Sequence, residues 1–391
     1  MQSEGILGLP GYQITNIEEQ AGKLQISACY LGEICCPHCQ GTKLRSKDRR
    51  VRMLRHETWG MRSTVLALET RKFQCKTCGR YFWQRTPGVL PRKRATEPFR
   101  KMIFYRHWDG ISRRRLAERE HIGSATVERW FQDLLAREVA KRSGAACPRV
   151  LGIDEHFFTR RQGYATTLCD LRHHTIFDVV LGRSEASLEK YLERLPGKET
   201  VRVICMDLAS AYRALVKKHF PQALIVADRF HVIRLINHHF LACWRDIDPA
   251  GAKHRGLLSL MRRHRHNLKP DQQIRLRGYF EKFPAVREIY RFKQRLCYLL
   301  LKKHRTKNKC RPLAGRFLKA ICQLREAILP QMVTLGETLD SWKEEIARMW
   351  RFTRNNGITE GFHTKMEVLQ RQAYGFRNFN NYRLRVKIMC G

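Results

Sequence analysis

The sequence predicts a mixed α/β (α+β) chain, and three observations carry that prediction. From Val150 onward the hydrophobic periodicity runs in the order β-β-β-α-β-α-β-α. Ahead of that block, two Cys-x-x-Cys pairs flank segments of strand character, and a helical stretch joins the two parts. The chain has 391 residues, enough for about two to four domains and at least one well-buried core.

Charge narrows the partners. Lys and Arg total 75 against 36 Asp and Glu, a formal net charge of +39, so the preferred partner at neutral pH is a polyanion. Nucleic acid is the first expectation; a ribosome-associated or simply soluble basic protein is the alternative. Of 14 cysteines only four form tight pairs, a pattern of reducing compartments rather than of a disulfide scaffold. No stretch reaches the ~18 apolar residues of a membrane span. The opening MQSEGILGLPGYQ has no basic n-region or apolar core, so a cytoplasmic protein with no membrane partner is expected.

The first module, residues 1–90, is read around Cys36-Pro-His-Cys39 and Cys75-Lys-Thr-Cys78, separated by 35 residues. Four thiolates closing one tetrahedral shell suit a single structural Zn²⁺ with no open position. Redox pairs or unligated thiols are the alternatives, and Cys35 competes with Cys36 only by stretching the knuckle. The gap is longer than usual, but it holds Leu54–Trp59 and Ser63–Phe73, which read as strands of a hairpin. The run Lys43, Arg45, Lys47, Arg49, Arg50, Arg52, Arg55 reads as phosphate contact, because such contacts carry most sequence-independent affinity.

The second module, residues 91–147, is helical. Ile111–Arg119 reads as one helix, His121-Ile-Gly123 as a turn and Ser124–Glu138 as a second helix with Ser124 as cap, the pattern of a helix-turn-helix. In that motif Ser124, Thr126 and Arg129 face base edges in the major groove and Val127 and Trp130 face the core; Arg113 and Arg114, in one of two basic clusters, are further expected DNA contacts. An ordinary helical hairpin is the bland alternative. Ser143-Gly-Ala-Ala-Cys-Pro148 is a small-residue linker.

From Val150 three antiparallel strands are expected, at Val150–Asp154, Tyr164–Leu171 and Thr175–Leu181. Helix Ser184–Leu195, strand Val201–Met206, helix Ala209–Phe220, strand Leu224–Ala227 and a helical stretch from Phe230 follow. This element order resembles that of ribonuclease H-like nucleotidyl-transfer domains. On that resemblance Asp154 ends the first strand and Asp207 the fourth, neighbours in the sheet. Residues 148–249 are its first part, 250–350 a basic helical insertion and 351–391 its C-terminal part. The insertion carries Arg262-Arg-His-Arg265, Lys302-Lys-His-Arg305 and Lys307-Asn-Lys309, read as DNA contact against the alternative of a solvated helical face. In Asn355-Asn-Gly-Ile-Thr-Glu360, Gly357 permits a turn, Thr359 is a candidate cap and Glu360 starts a helix.

Over nearly its whole length the chain closely resembles the ISL-three family of DDE transposases of bacterial insertion sequences. The carriers are the two cysteine pairs, Gly152-Ile-Asp154-Glu155, Met206-Asp207-Leu-Ala-Ser-Ala-Tyr212 and Ala227-Asp228-Arg-Phe-His231. Asn355 to Gly361 and Ala373-Tyr-Gly-Phe-Arg-Asn-Phe379 with Tyr382-Arg-Leu-Arg385 complete them. The resemblance implies that Asp154, Asp207 and Glu360 hold two Mg²⁺ (or Mn²⁺) ions, with Asp228 and His231 in support and Arg377 among the DNA contacts.

It further implies recognition of the element's terminal inverted repeats, cleavage and strand transfer into target duplex DNA, a homodimer or higher oligomer, and a bacterial cytoplasmic protein found on the nucleoid when DNA-bound. One departure is that Glu367 stands seven positions after Glu360, where such enzymes often carry Lys or Arg. A non-catalytic DNA-binding regulator derived from a transposase is the alternative function, and a structure-selective nuclease a third.

Overall fold

In the computed structural model, residues 7–142, 146–304, 306–352, 357–373 and 375–391 are described. The Ser143–Ala145 part of the expected linker, Arg305, Asn355, Asn356 and Tyr374 lie outside them. The chain divides into two compact units, Met1–Lys141 and Arg142–Gly391.

The first unit contains both the cysteine module and the helix pair. β1 (Tyr12–Gln20) and β2 (Lys23–Tyr30) form a hairpin that the sequence reading did not anticipate. Its two-residue turn, Ala21-Gly22, has positive φ at both positions (51° and 71°), the backbone that matches strand twist. β3 (Leu44–Trp59) and β4 (Arg62–Cys75) make a longer hairpin, and β5 (Tyr81–Trp83) adds to β4. The order is β1-β2-β4-β3, with β2 and β4 parallel.

β3 begins ten residues before the expected Leu54, and most of the basic run lies within this edge strand. Charged side chains there also block edge-to-edge pairing, so part of the run has a structural role. Leu7, Leu9, Tyr12, Ile26, Leu54, Leu66 and Leu68 form the core of this sheet.

α1 (Glu97–Trp108) follows, capped by the Thr96 hydroxyl, which accepts from Phe99 N–H. Thr96 Oγ1 also meets His56 Nδ1 on β3 at 2.9 Å, and Thr96 N–H donates to Arg55 O at 3.0 Å. The division expected at residue 90 therefore crosses one hydrogen-bonded unit. α2 (Arg113–Arg119) and α3 (Ser124–Arg142) form the helix-turn-helix. His121 takes the left-handed turn position, φ 47°. Gly123 rather than Ser124 caps α3, since its carbonyl accepts from Thr126 and Val127 N–H. Buried Arg100 ties α1 to α3 by pairing with Glu97 and Asp133.

The second unit is built on β6 (Val150–Thr159), β7 (Gly163–Asp170), β8 (Thr175–Leu181), β9 (Val203–Met206) and β10 (Leu224–Ala227), in the order β10-β9-β6-β7-β8. β6, β7 and β8 are antiparallel, while β9 and β10 run parallel to β6. This is the ribonuclease H-like arrangement. Strand alternation gives the sheet two covered faces. Ile153, Leu168 and Ile204 face one core, with α4 (Glu185–Glu193), α5 (Ser210–His219) and α6 (Arg229–Ile247). Cys169 and Cys205 face the other, with α14 (Gly357–Gln372) and α15 (Phe379–Cys390).

Between α6 and α14 come α7 (Pro249–Lys253), α8 (Arg255–Arg262), α9 (Pro270–Lys282), α10 (Pro284–Leu301), α11 (Lys307–Arg325), α12 (Pro330–Ser341) and α13 (Lys343–Arg348). They are not a detached insertion. Leu296, Phe317, Leu335 and Trp350 join Ile204, Val226 and Val232 in a single core. A satellite core gathers Phe240, Trp244, Met261 and Tyr290. Among the described residues no helix is long and apolar enough to cross a membrane.

Candidate metal centres

The four-cysteine cluster is assembled by two equivalent knuckles. Gln40 N–H donates to Cys36 O and Gly79 N–H to Cys75 O, each at 2.9 Å. Gln40 and Gly79 are both left-handed (φ 58° and 74°), which turns each chain back on itself. The four sulfurs lie within 4.8 Å of one another; Cys36–Cys78 is 3.7 Å and Cys39–Cys75 3.5 Å. A tetrahedron of sulfurs ~2.3 Å from zinc has edges of about 3.8 Å, so the donor set fits that ion. Backbone N–H groups of Cys78 and Thr77 hold the Cys75 thiol down at about 6 despite its burial. Cys35 is exposed and its thiol turns to Gln40 Oε1 at 3.3 Å, outside the cluster.

The carboxylate centre arises from sheet register. β6 does not end at Asp154, as expected, but continues to Thr159, because β7 pairs with it up to Gly163 opposite Thr159. Its parallel partner stops earlier. Gly152 lies opposite Cys205, and Met206 opposite Ala227. Continuing that register puts Asp154, Asp207 and Asp228 at one level, where β9 and β10 give out. Alternation after Ile153 turns Asp154 toward the face covered by α14.

An oxygen of Asp154, one of Asp207 and a nitrogen of His231 lie within 4.8 Å of one another. His231, in the first turn of α6, donates from Nδ1 to Asp228 Oδ2 at 2.8 Å. The same nitrogen lies 2.7 Å from Asp207 Oδ1, while Asp228 Oδ1 is buried without a hydrogen bond. Asp154 Oδ1 accepts from Glu155 N–H at 2.8 Å. Burial, reinforced by the charge of Asp207, pushes the Asp154 carboxyl up to about 7. Burial alone lowers His231, but hydrogen bonds to Asp207 and Asp228 outweigh it and hold the imidazole at about 10. Crowded, largely buried carboxylates are the donor set of a hard divalent cation.

α14 reaches the centre through His363, which the sequence reading did not single out. Its Nδ1 lies 3.9 Å from Asp154 Oδ2, and its Nε2 3.2 Å from Thr167 Oγ1. Thr167 Oγ1 also meets His156 Nδ1 at 2.9 Å, and His156 Nε2 meets the Tyr382 hydroxyl at 2.8 Å. Burial lowers His156 to about 3 and His363 to about 4. The available signal was spacing: three residues after Glu360, His363 shares its helix face. Glu360 is in the first turn of α14, as expected, and exposed. The close group around Asp154 and Asp207 does not include it. Thr359 is a fully buried residue of that turn rather than its cap. Glu367 pairs with Arg371 at 3.1 Å.

The expected DNA-contact residues divide by their present partners. Arg52 donates to Lys93 O at 2.7 Å and to Leu90 O at 3.4 Å, and Arg50 stacks 3.9 Å over Trp83, so both hold the fold. Arg113 pairs with Glu128, Arg114 with Glu118 at 2.8 Å, and Arg129 donates to Thr126 Oγ1 at 3.2 Å. Ser124 and Arg129 are exposed, while Val127 is buried and Trp130 half-buried against the helical core. Arg49 and Arg377 are exposed.

The family model for ISL3 (ISL-three) DDE transposases, described as "Transposase", matches residues 151–386. A second, described as "zinc-finger of transposase IS204/IS1001/IS1096/IS1165", matches residues 32–78. The transposase for insertion sequence element IS1001 of Bordetella parapertussis is 22% identical over 401 aligned positions, covering 98% of this chain and 96% of that protein. The match to the transposase family spans well over half of the chain, which therefore belongs to the ISL3 family of insertion-sequence transposases.

Proposed function

We propose that this transposase cuts and joins DNA at the ends of its element by cation-dependent phosphoryl transfer, with Asp154, Asp207 and Glu360 as the cation-holding triad. The observation that carries the proposal is the convergence of Asp154 and Asp207 from adjacent strands, which brings an oxygen of each within 4.8 Å of the other. Divalent ions such as Mg²⁺ or Mn²⁺, when bound, neutralise the scissile phosphate and acidify the attacking water or 3′-hydroxyl.

The chain's own residues supply the rest. Asp154 and Asp207 present oxygens at the open edge of the sheet. Asp228 fixes His231, and His231 in turn restrains Asp207. The Thr167–His363 contact seats α14 beside Asp154, and Glu360 shares the His363 face of that helix. DNA is gripped by Arg49 and Arg377 on phosphates, by Arg113 and Arg114 after exchanging their glutamates for phosphate, and by Ser124, Thr126 and Arg129 at base edges. Cys36, Cys39, Cys75 and Cys78 hold one structural Zn²⁺. Joining two element ends calls for a second copy of the chain.

The test is incubation of the full chain with labelled element ends, Mg²⁺ and a supercoiled target plasmid. Free 3′ ends and their joining to the plasmid are expected, and both should be lost in Asp154→Asn while DNA binding persists. Cut ends never joined would indicate a nuclease, and cleavage unaffected by Asp154→Asn would remove the triad.

A further inference from the structure

We propose that the groove on α6 facing the end of α8 is a nucleotide subsite, in which Phe230 stacks on a base of the DNA strand passing through the carboxylate centre. This rests on the phosphoryl-transfer reading above and names where the strand lies. The groove, of about 380 Å³, falls within the ~300–1,000 Å³ of sites for small organic groups.

Phe230, Ile233, Arg234, Asn237 and Leu241 recur at helical spacing and so form one stripe of α6, with Arg262 opposite. Phe230 is 47% exposed in a first turn it shares with buried Val232. Its ring stands edge-on to His231, centroids 5.4 Å apart, and His231 Nδ1 lies 2.7 Å from Asp207. An exposed aromatic face is thus one residue from the reacting centre.

Chemical complementarity selects the occupant. Arg234 and Arg262 make no ion pair among the described residues, and no carboxylate lines the groove, leaving two cations for phosphates. Asn237 Oδ1 is buried without a hydrogen-bond partner, an acceptor for an exocyclic amine of a base. Phe230 and Ile233 offer the apolar platform on which any base stacks. Arg262 is held in place from behind: buried Lys293 donates to Met261 O at 2.8 Å and Arg262 O at 3.3 Å, capping α8. Aromatic platform, cations and a free amide acceptor together fit a nucleotide; an apolar peptide would leave both guanidinium groups unpaired.

The experiment uses the full chain and element-end DNA with a single abasic site scanned across the nucleotides flanking the cut. Phe230→Ala should slow cleavage on the order of 5- to 100-fold with an unchanged Tm, and Phe230→Trp should restore it. One abasic position should slow the native protein and have no further effect in Phe230→Ala. Cleavage by Phe230→Ala at the native rate, or an abasic penalty equally large in both proteins, overturns the subsite.

Photocrosslinking of a strand carrying 5-iodouracil needs no turnover. Attachment to the peptide containing Phe230 supports the proposal, and attachment only elsewhere refutes it. A native protein that crosslinks at Phe230 but never cleaves would instead sink the phosphoryl-transfer reading.

Discussion

The four-cysteine cluster and the carboxylate centre are both sets of metal-type ligands, yet they are built in opposite ways. Each cysteine pair is delivered by one short knuckle whose turn is closed by its own backbone, so the sulfurs stand 3.5 and 3.7 Å apart across the cluster. Asp154, Asp207 and Asp228 come from three strands, and only register brings them level. A site made locally is finished as soon as two hairpins form. A site made by topology depends on every element that sets the register, and Glu360, the acid proposed to complete it, stands in an exposed first turn.

Removing a thiolate should therefore have the largest thermodynamic effect and the most confined one. Cys75→Ser should lose about one zinc per chain, and with it much of the ~10–16 kcal/mol that structural zinc contributes to such small modules. Metal analysis together with domain-resolved hydrogen exchange would show the first unit opening while the sheet of the second stays protected. Asp207→Asn should do the reverse, leaving the melting temperature nearly unchanged and reducing cleavage on the order of 10³-fold or more. An Asp207→Asn protein that melts far below the native one would mean that the acid is structural.

Smaller effects probe the elements that seat α14 and α15. Arg383 on α15 donates twice to buried Asp178 on β8, at 2.7 and 2.5 Å, with Lys387 at 3.6 Å. Arg383→Ala leaves that carboxylate poorly compensated. Because Arg383 is one-third exposed and Lys387 remains, the expected loss is about 2–3 kcal/mol by denaturant titration.

Acid should weaken the same region. His156 and His363 are held neutral, at about 3 and about 4, below an unfolded value near 6.5. The unfolded chain thus binds more protons between those limits. The stability from their burial is complete above about pH 6.5 and is lost as pH falls toward 4 and then 3. Tyr382→Phe, which removes the His156 partner, should cost about 1 kcal/mol.

The same contrast explains what could be read from the sequence. The cysteine cluster was visible because its spacing is local, and β8 and β10 were placed to the residue because each is a short apolar run between turn residues. β1 was missed because its 12–20 segment is mostly exposed and polar, so alternation was absent. The first half of β3 was read as a phosphate-binding run for the same reason: its charged residues lie along a solvated edge.

Asp154 was recognised, but its strand was ended too soon, since only the early stop of β9 places it at the sheet edge. The packing of the helical segment into the main core could not be read from composition, which shows the charges on its surface and not the burial of Phe317 and Trp350. His363 went unassigned because nothing in the sequence says which strand its helix will cover.

Asp154 and Asp207 are proposed as the seat of a catalytic cation. The most direct measurement is cleavage of element-end DNA by Asp207→Cys in Mg²⁺ and then in Mn²⁺. A thiolate is a poor partner for Mg²⁺ and a better one for the softer ion, so activity should vanish in the first and return in the second. Cleavage at the native rate in Mg²⁺ would mean that Asp207 holds no catalytic cation.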